Sequence, residues 1–591
     1  MKRAYLLLMA AALTACSVDA PPADTSSVAP TDTVMTDNEA GGSADTSVSE
    51  PLEQTNDKDE TDIRVNAVIT LSDNIRVSGT GASAVGNVLT IEKGGSYEIS
   101  GRLTGQIIVD ISKDEEAEII LIGADVTAPS EYGSALWVKS ADKVTVKMKK
   151  NTVNTFSDAP NDSGADACIY SEDDLDFKGS GALVVNGNNK NGIYSKNDIK
   201  IKNGVIKVTA VKDGIKGRQS VQTAADVTVV ASGDGIVSNG SEKKNMEGLV
   251  TVSGGSVDIT AEGTSSKGIK SSGLIVITGG SISISATDDA LHCDGEITVD
   301  GGELSLSADD DGIHASALTL NSGKGSITKS HEGIEAVSIT VNGGEWYVAA
   351  DDDGVNATDG SSDTGDFMGG FDRDRNSVDG EWHDKFNAPE WDGDLPAMPD
   401  DATGMPTRSS RSDNMPFADA SAVPDNVFIS ITGGVLNVDA GGDGIDSNGN
   451  IMMSGGELYV NGPVDDGNAS VDYDGTFTLT GGTLAAAGSS GMAQTASSSE
   501  QGVLCIYFKS AQKAGTEIAV KNNDGVVARF KPKKSFSFIT LSSQDMNDGE
   551  YTVYADGAQL CTVNISGITS INERGETVSP AGFGRGRMFG R

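Results

Sequence analysis

Carboxylates that return at a fixed pitch are the residues of this chain best placed to do chemistry. The phrase Asp309-Asp310-Asp311-Gly312-Ile313-His314 is the fullest copy of a motif that recurs at Gly192-Ile193, Gly214-Ile215, Gly235-Ile236, Gly268-Ile269, Ala290-Leu291, Gly333-Ile334, Gly354-Val355 and Gly444-Ile445. Before the small residue stand Asn191, Asp213, Asp234, Lys267, Asp289, Asp311, Glu332, Asp353 and Asp443, seven of the nine acidic. More acids crowd the same corners, in Asp288-Asp289, Asp309 to Asp311, Asp351-Asp352-Asp353 and Asp465-Asp466, while Asn356, Asp446 and Asn448 add oxygens downstream. Carboxylates stacked about 4.8 Å apart repel by roughly 3–4 kcal/mol at an effective dielectric near 20. A hard cation of Ca²⁺ size, which takes six to eight oxygens in flexible turns, would turn that repulsion into cross-linking. The expected ligands are Asp213, Asp234, Asp288, Asp289, Asp309, Asp310, Asp311, Asp351, Asp352, Asp353, Asp443, Asp446, Asp465 and Asp466. The plain alternative is a solvated turn, since Asp before Gly is a common turn pair. His292 and His314 share a column that continues with Glu335. With no third histidine, stacked imidazoles in a polar ladder are expected there rather than zinc.

The elements that must carry these residues follow from the spacing. Successive motifs are 22, 21, 33, 22, 22, 21, 21 and 90 residues apart. A 21–22 residue period with one insert of about 11 and one of about 68 marks a solenoid built turn by turn. After the glycine stand only Ile, Leu or Val, a column that points into a core. Within a turn, Ile275 and Ile277 precede Gly279-Gly280, then Ile282 and Ile284 follow before Asp288-Asp289. Short alternating strands divided by glycine corners give three faces per turn, and we expect an all-β fold, a right-handed parallel β-helix. A β-sandwich has no reason to keep this pitch. The glycine corners call for positive φ or close approach. Ala135-Leu136-Trp137 and Cys168-Ile169-Tyr170 read as degenerate early copies of the motif.

The expected organisation is a signal peptide over 1–15, a disordered tether over 16–59 and the helix over 60–498, with a cap and early turns over 60–165. An aperiodic, disordered insertion of about 356–425 holds Trp382 and Trp391. Gly488 to Gln501 reads as a Ser/Ala-rich linker. A small antiparallel β unit over 499–567 would cover the last strand edge, and 568–591 reads as a disordered tail. Lys2 and Arg3, the apolar run Ala4 to Ala12 and Leu13-Thr14-Ala15-Cys16 form a secretory leader too short to span a bilayer. Leu-Thr-Ala-Cys resembles a bacterial lipobox, which implies lipid on Cys16, a membrane partner, and a place on the outer membrane or cell surface. A formal charge of -42 argues against nucleic acid, whose phosphates bind Lys and Arg clusters. Cys168 and Cys293 lie too many turns apart to bridge; Cys505 and Cys561 are close enough in sequence to pair in an oxidising compartment. A monomer is expected.

The lipobox, the strand-rich region from about residue 60, the Asp-Gly-Ile corners and the C-terminal β unit resemble a family of bacterial carbohydrate-binding β-helix lipoproteins. Its clostridial founding member binds cellulose and acidic pectin-type glycans and carries calcium. The fold is also similar to that of calcium-dependent pectate lyases. The resemblance implies a calcium-dependent binder of polysaccharide, either a polyuronate or cellulose. It offers as an alternative a lyase in which calcium acidifies a uronate and a base removes the proton. Lys216 and Lys270, two places after the corner glycine, are the candidate bases, and Lys267 beside Lys270 is expected to lower its pKa. Solvated turn lysines are the bland reading, and Arg218 is the one arginine near that corner. A calcium-stiffened surface adhesin or structural rod is a third possibility.

Overall fold

A computed structural model of the chain describes residues 65–160, 164–241, 246–359 and 424–579. Among the described residues all regular structure is β, and no helix is long and apolar enough to cross a membrane. Forty-one strands join one continuous sheet; most lie in three ladders in which a strand pairs in parallel with its counterparts one turn before and one turn after, while Arg76–Gly79 pairs antiparallel with Ala67–Leu71 and Ala82–Val85 with Val88–Ile91. The first ladder runs through Val88–Ile91, Gln106–Asp110, Leu136–Ser140, Ala167–Ser171, Asn191–Ser195 and Ile215–Gly217, and on to Ile445–Ser447. The second takes Lys143–Met148, Asp174–Gly179, Asp198–Ile201 and Ser220–Thr223, and ends at Phe477–Leu479 and Ser498–Ser499. The third takes Val153–Ser157, Ala182–Gly187 and Val205–Ala210, and ends at Thr483–Gly488.

The apolar column sets this register. Leu89, Ile107, Leu136 and Ile169 pair in sequence and lead into Ile193 and the rest of the column. Each of them is no more than 1% exposed, so the degenerate copies at Leu136 and Ile169 hold the same place as the full motif. Slipping any strand by one residue would turn this column outward and bring polar neighbours in.

Both inserts leave the ladders at one corner. After Val355–Ala357 the sheet resumes with Phe428–Ile431, paired to the second half of Ile334–Val341. Most of the shorter insert likewise falls between Ile236–Ser238 and Leu249–Ala261. Asn356 and Ala357 therefore belong to a strand rather than to the expected insertion, and Ile568–Asn572, at the start of the expected disordered tail, is a strand paired in parallel with Val503–Gln512. Trp382, Trp391, Cys16, the residues before 65 and those beyond 579 lie outside the described residues. The expected linker over 488–501 is also partly ladder. Ser498–Ser499 pairs with Phe477–Leu479, and Ala496 is buried.

Beyond it, Phe536–Ser542 pairs antiparallel with the last third-ladder strand, Thr483–Gly488, and with Val503–Gln512. Four further strands, Ile518–Lys521, Val526–Phe530, Gly549–Ala555 and Ala558–Ile565, make a separate antiparallel sheet. Cys505 and Cys561 are free and buried, as are Cys168 and Cys293, so the disulfide considered from sequence does not form.

Glycine serves two purposes. At the corner between the second and third ladders, Gly280, Gly302, Gly323 and Gly344 have φ of 93°, 92°, 95° and 85°, a region costly for other residues. At the corner before the first ladder the reason is space. A Cβ on Gly333 would lie 2.2 Å from Val348 Cγ1 and 2.3 Å from the Gly354 carbonyl oxygen. Gly333→Ala is expected to destabilise the fold by about 1–3 kcal/mol, read as a lower Tm by calorimetry.

Candidate functional site

The acidic column has a backbone task. The N–H of Asp213 donates to Asn191 Oδ1 (3.1 Å), that of Lys267 to Asp234 Oδ1 (2.8 Å), that of Asp311 to Asp289 Oδ1 (3.1 Å) and that of Asp443 to Asp353 Oδ1 (2.6 Å). Ala469 N–H donates to Asp443 in the same way. Each side chain thus satisfies a buried donor one turn on, and an Asp or Asn is called for here whether or not a cation binds. The remaining carboxylate oxygens are the ones with chemistry left.

Along the early and middle turns, basic side chains of the chain itself neutralise those oxygens. Lys216 Nζ lies 2.9 Å from Asp213, and Lys267 Nζ bridges Asp288 (2.5 Å) and Asp289 (2.8 Å). Burial alone would lower the Lys267 pKa, but the carboxylates of Asp289 and Asp288 outweigh it and hold the ammonium charged. Lys267 therefore faces Asp288 and Asp289, not the Lys270 it was expected to perturb. His292 and His314 Nδ1 meet Asp289 and Asp311 at 2.7 and 2.8 Å, and the two rings stack 4.9 Å apart, as the sequence suggested. Burial opposes protonation of His314, yet Asp311, Asp289 and Glu335 carry its pKa to about 9. Asp289 is held well below the usual carboxylate range: burial is outweighed by His292 and Lys267. Three sets of ligand atoms lie within 4.8 Å of one another, Asp288/Asp289/Asp310, Asp289/His292/His314 and Asp311/His314/Glu335. All three already face a lysine or a protonated imidazole.

Other expected ligands are dispersed. Burial raises the pKa of Asp234. Asp309 pairs with Lys329, Asp351 is exposed, and exposed Asp352 lies 3.9 Å from His331. Asp310 is raised by burial and by Asp311. Asp465 accepts the Gly467 N–H, and Asp466 the Ser489 hydroxyl. These last two fall outside the column, which continues through Ala469 and through Val471, bridged to Ile445. The spacing lengthens in that turn, and Asp-Asp-Gly imitates the corner three residues early.

A different group emerges beyond His314. Burial, with Glu335 and Asp311, pushes Glu332 to about 8. Burial, with Asp443, Asp353 and Asp472, pushes Asp446 to about 8. Asp443 reaches about 7 and Asp353 about 6, again by burial first and then by neighbouring carboxylates. Burial also raises Glu335, with Asp311, and Asp472, with Asp474. Asn356 Nδ2 donates to Glu332 at 3.2 Å, while Asn356 Oδ1 is buried without a partner. Among the described residues no lysine or arginine forms an ion pair with Glu332, Asp353, Asp443, Asp446 or Asp472. Glu332, though read as part of the acidic column, was not among the expected ligands, and Asp472 was not singled out from sequence.

A second column, two places after the corner glycine, runs beside all of these. The register stacks Trp137, Tyr170, Tyr194, Lys216, Val237, Lys270, His292, His314, Glu335, Asn356 and Asp446, with Asp472 following across the Ile445–Val471 bridge. Most are half-buried. The strip passes from aromatic to cationic to imidazole to anionic. Arg218 Nη2 donates to the Tyr194 hydroxyl at 2.9 Å.

An all-β protein of stacked parallel ladders with a graded polar strip along one of them is the class that fold and site define. Its likenesses to known proteins are partial. A family described as "Carbohydrate-binding domain-containing protein" matches residues 85–265 and 262–312. A carbohydrate-binding domain-containing protein of Acetivibrio thermocellus is 40% identical over 157 residues, 25% of this chain and 54% of that protein. The chain thus spans about half the length of this curated relative. A solved structure of the polysaccharide lyase-like protein from C. thermocellum, a gadolinium derivative, is 33% identical and covers 40% of this chain and 97% of its own, with a TM-score of 0.37.

Proposed function

We propose that this chain is a surface-anchored, calcium-dependent carbohydrate-binding protein for acidic polysaccharides, its ladders coiled as a right-handed parallel β-helix, the hand that parallel crossovers almost always take. The carrying observation is that Glu332, Asp353, Asp443, Asp446 and Asp472 are half-buried on neighbouring turns and, among the described residues, paired to no lysine or arginine, while Asn356, stacked against Asp446, has a buried Oδ1 with no partner there. An all-oxygen donor set of that charge fits Ca²⁺, which when bound would bridge to glycan carboxylates that a chain of charge -42 otherwise repels. The likeness to carbohydrate-binding domain proteins supports the glycan half of this reading. Lipid on Cys16, a tether over 16–59 and a place at the bacterial surface complete it.

The test is retention of the protein on immobilised polygalacturonate in calcium and in EDTA, with ultraviolet absorbance followed for unsaturated uronate. Retention that requires calcium, with flat absorbance, is expected. A calcium-dependent rise lost in Lys216→Ala or Lys270→Ala would replace binding with β-elimination, and no retention on any glycan would leave an adhesin.

A further inference from the structure

The anionic end of the strip has an opposite. Trp137, Tyr170 and Tyr194 hold one register position on three successive turns, the two tyrosine rings 5.6 Å apart and tilted by 47°. Beside them is a cavity of about 290 Å³ walled by Trp137, Tyr132 and Tyr170 and rimmed by Ser130, Ser134 and Asp166. Packing buries the two tyrosines, but Trp137 and Tyr170 also line the cavity. Tyr170 and Tyr194 form an aromatic cluster, with Trp137 against it, on the outward side of a ladder, apart from the main core. Among the described residues the buried Trp137 Nε1 has no acceptor, although a buried indole N–H ordinarily finds a partner and its loss costs roughly 1–3 kcal/mol.

A pyranose ring meets both needs. Its C–H face is apolar and flat enough to lie on an aromatic ring, and its edge carries hydroxyl oxygens that accept from an indole N–H. The charged groups lining the cavity favour a neutral sugar over a uronate. They are Glu131 and Asp166, with no lysine or arginine. Asp166 is paired to Lys190 at 2.9 Å, and the Tyr170 hydroxyl donates to Glu172 at 2.7 Å. Two cations lie over the wall: Lys196 Nζ, 5.7 Å from the Tyr170 ring centre, is paired to Glu172 at 2.9 Å, while Lys139 Nζ, 4.6 Å from the Trp137 ring centre, can donate to a sugar hydroxyl. We infer that the cavity against Trp137 and Tyr170 is a calcium-independent subsite for a neutral pyranose ring of a glycan, separate from the cation-dependent end of the strip.

This inference rests on the carbohydrate-binding reading but not on its calcium half. The experiment is calorimetric titration of the full chain in EDTA with cellohexaose and, separately, with hexagalacturonate. Cellohexaose is expected to bind and hexagalacturonate not to. Trp137→Ala should weaken cellohexaose binding about tenfold or more, the scale of an aromatic anchor. Trp137→Phe, which keeps a ring and loses the N–H, should fall between. Retention of Trp137→Ala on polygalacturonate in calcium should persist, which also shows that the variant folds. Unchanged cellohexaose binding by Trp137→Ala, or no cellohexaose binding by the parent chain, would overturn the subsite. Hexagalacturonate binding in EDTA that depends on Trp137 would overturn its neutral class. Loss of the calcium-dependent retention alone would count against the proposed function and leave the subsite standing.

Discussion

In EDTA the melting temperature of this protein should fall as pH rises from about 5 to 8, and calcium should reverse the loss at pH 8 while doing little at pH 5. Glu332 and Asp446, at about 8, and Asp443, at about 7, lie above the ordinary values of 4.5 for Glu and 3.8 for Asp. A carboxyl whose folded pKa is raised binds its proton more tightly in the folded state. Its stabilising contribution is complete below the ordinary carboxylate range and is lost as pH climbs through the folded value. Protons and calcium then compete for the same oxygens, so binding at pH 7 should release protons. Asp446→Asn removes one buried charge from the group. It is expected to raise Tm in EDTA at pH 8 by about 3–6 °C and to weaken calcium binding. A Tm in EDTA that holds level or rises between pH 5 and 8 would show that these carboxylates do not carry the charge assigned to them.

Lys267→Ala should be among the most damaging single changes in the middle turns. Its side chain is 12% exposed and its ammonium serves Asp288 and Asp289, which are 13% and 4% exposed. Removing one partner of a buried ion pair while leaving the other typically costs about 3–5 kcal/mol. Here two carboxylates are left, with His292 as the remaining cation on Asp289. Lys267→Met, similar in length and uncharged, should lose nearly as much, which separates charge from packing. Chemical denaturation read by circular dichroism measures both. In either variant the emptied corner should acquire a calcium response that the parent corner lacks.

Why some of this was legible in the sequence and some was not comes down to how each column is selected. The residues after the corner glycine face one dry interior, so a single chemical type is kept from Ile193 to Ile445 and the pitch can be read by eye. Even Leu136 and Ile169, where the glycine is gone, obey it. The column before the glycine is acidic partly because a side-chain oxygen must accept the next turn's N–H, as Asp289 does from Asp311. Reading every aspartate of the column as a metal ligand, and passing over Glu332, therefore spread the candidate site over turns where Lys216, Lys267 and His314 already balance the charge. Asp465 and Asp466 misled for another reason, since turn residues imitate the motif wherever the pitch slips. The outward column was the hardest to read. Its members change from Trp137 to Lys270 to Asp446, so that only its middle, His292 to Glu335, was read as a column and no one chemical type runs its length. The third residue of each motif copy, including the two degenerate ones, was the signal that would have found it.

The single corner from which both inserts depart has an evolutionary consequence. Ser238 and Ala357, the last ladder residues before added chain, each follow directly on a member of the outward strip, Val237 or Asn356. Lengthening there leaves the pairing of flanking turns intact, as the register from Ser338 to Phe428 demonstrates. Descendants of this architecture can thus acquire or shed segments at the border of the strip without renegotiating the stack. That gives a repetitive scaffold a way to vary its outer border while its interior packing is left untouched.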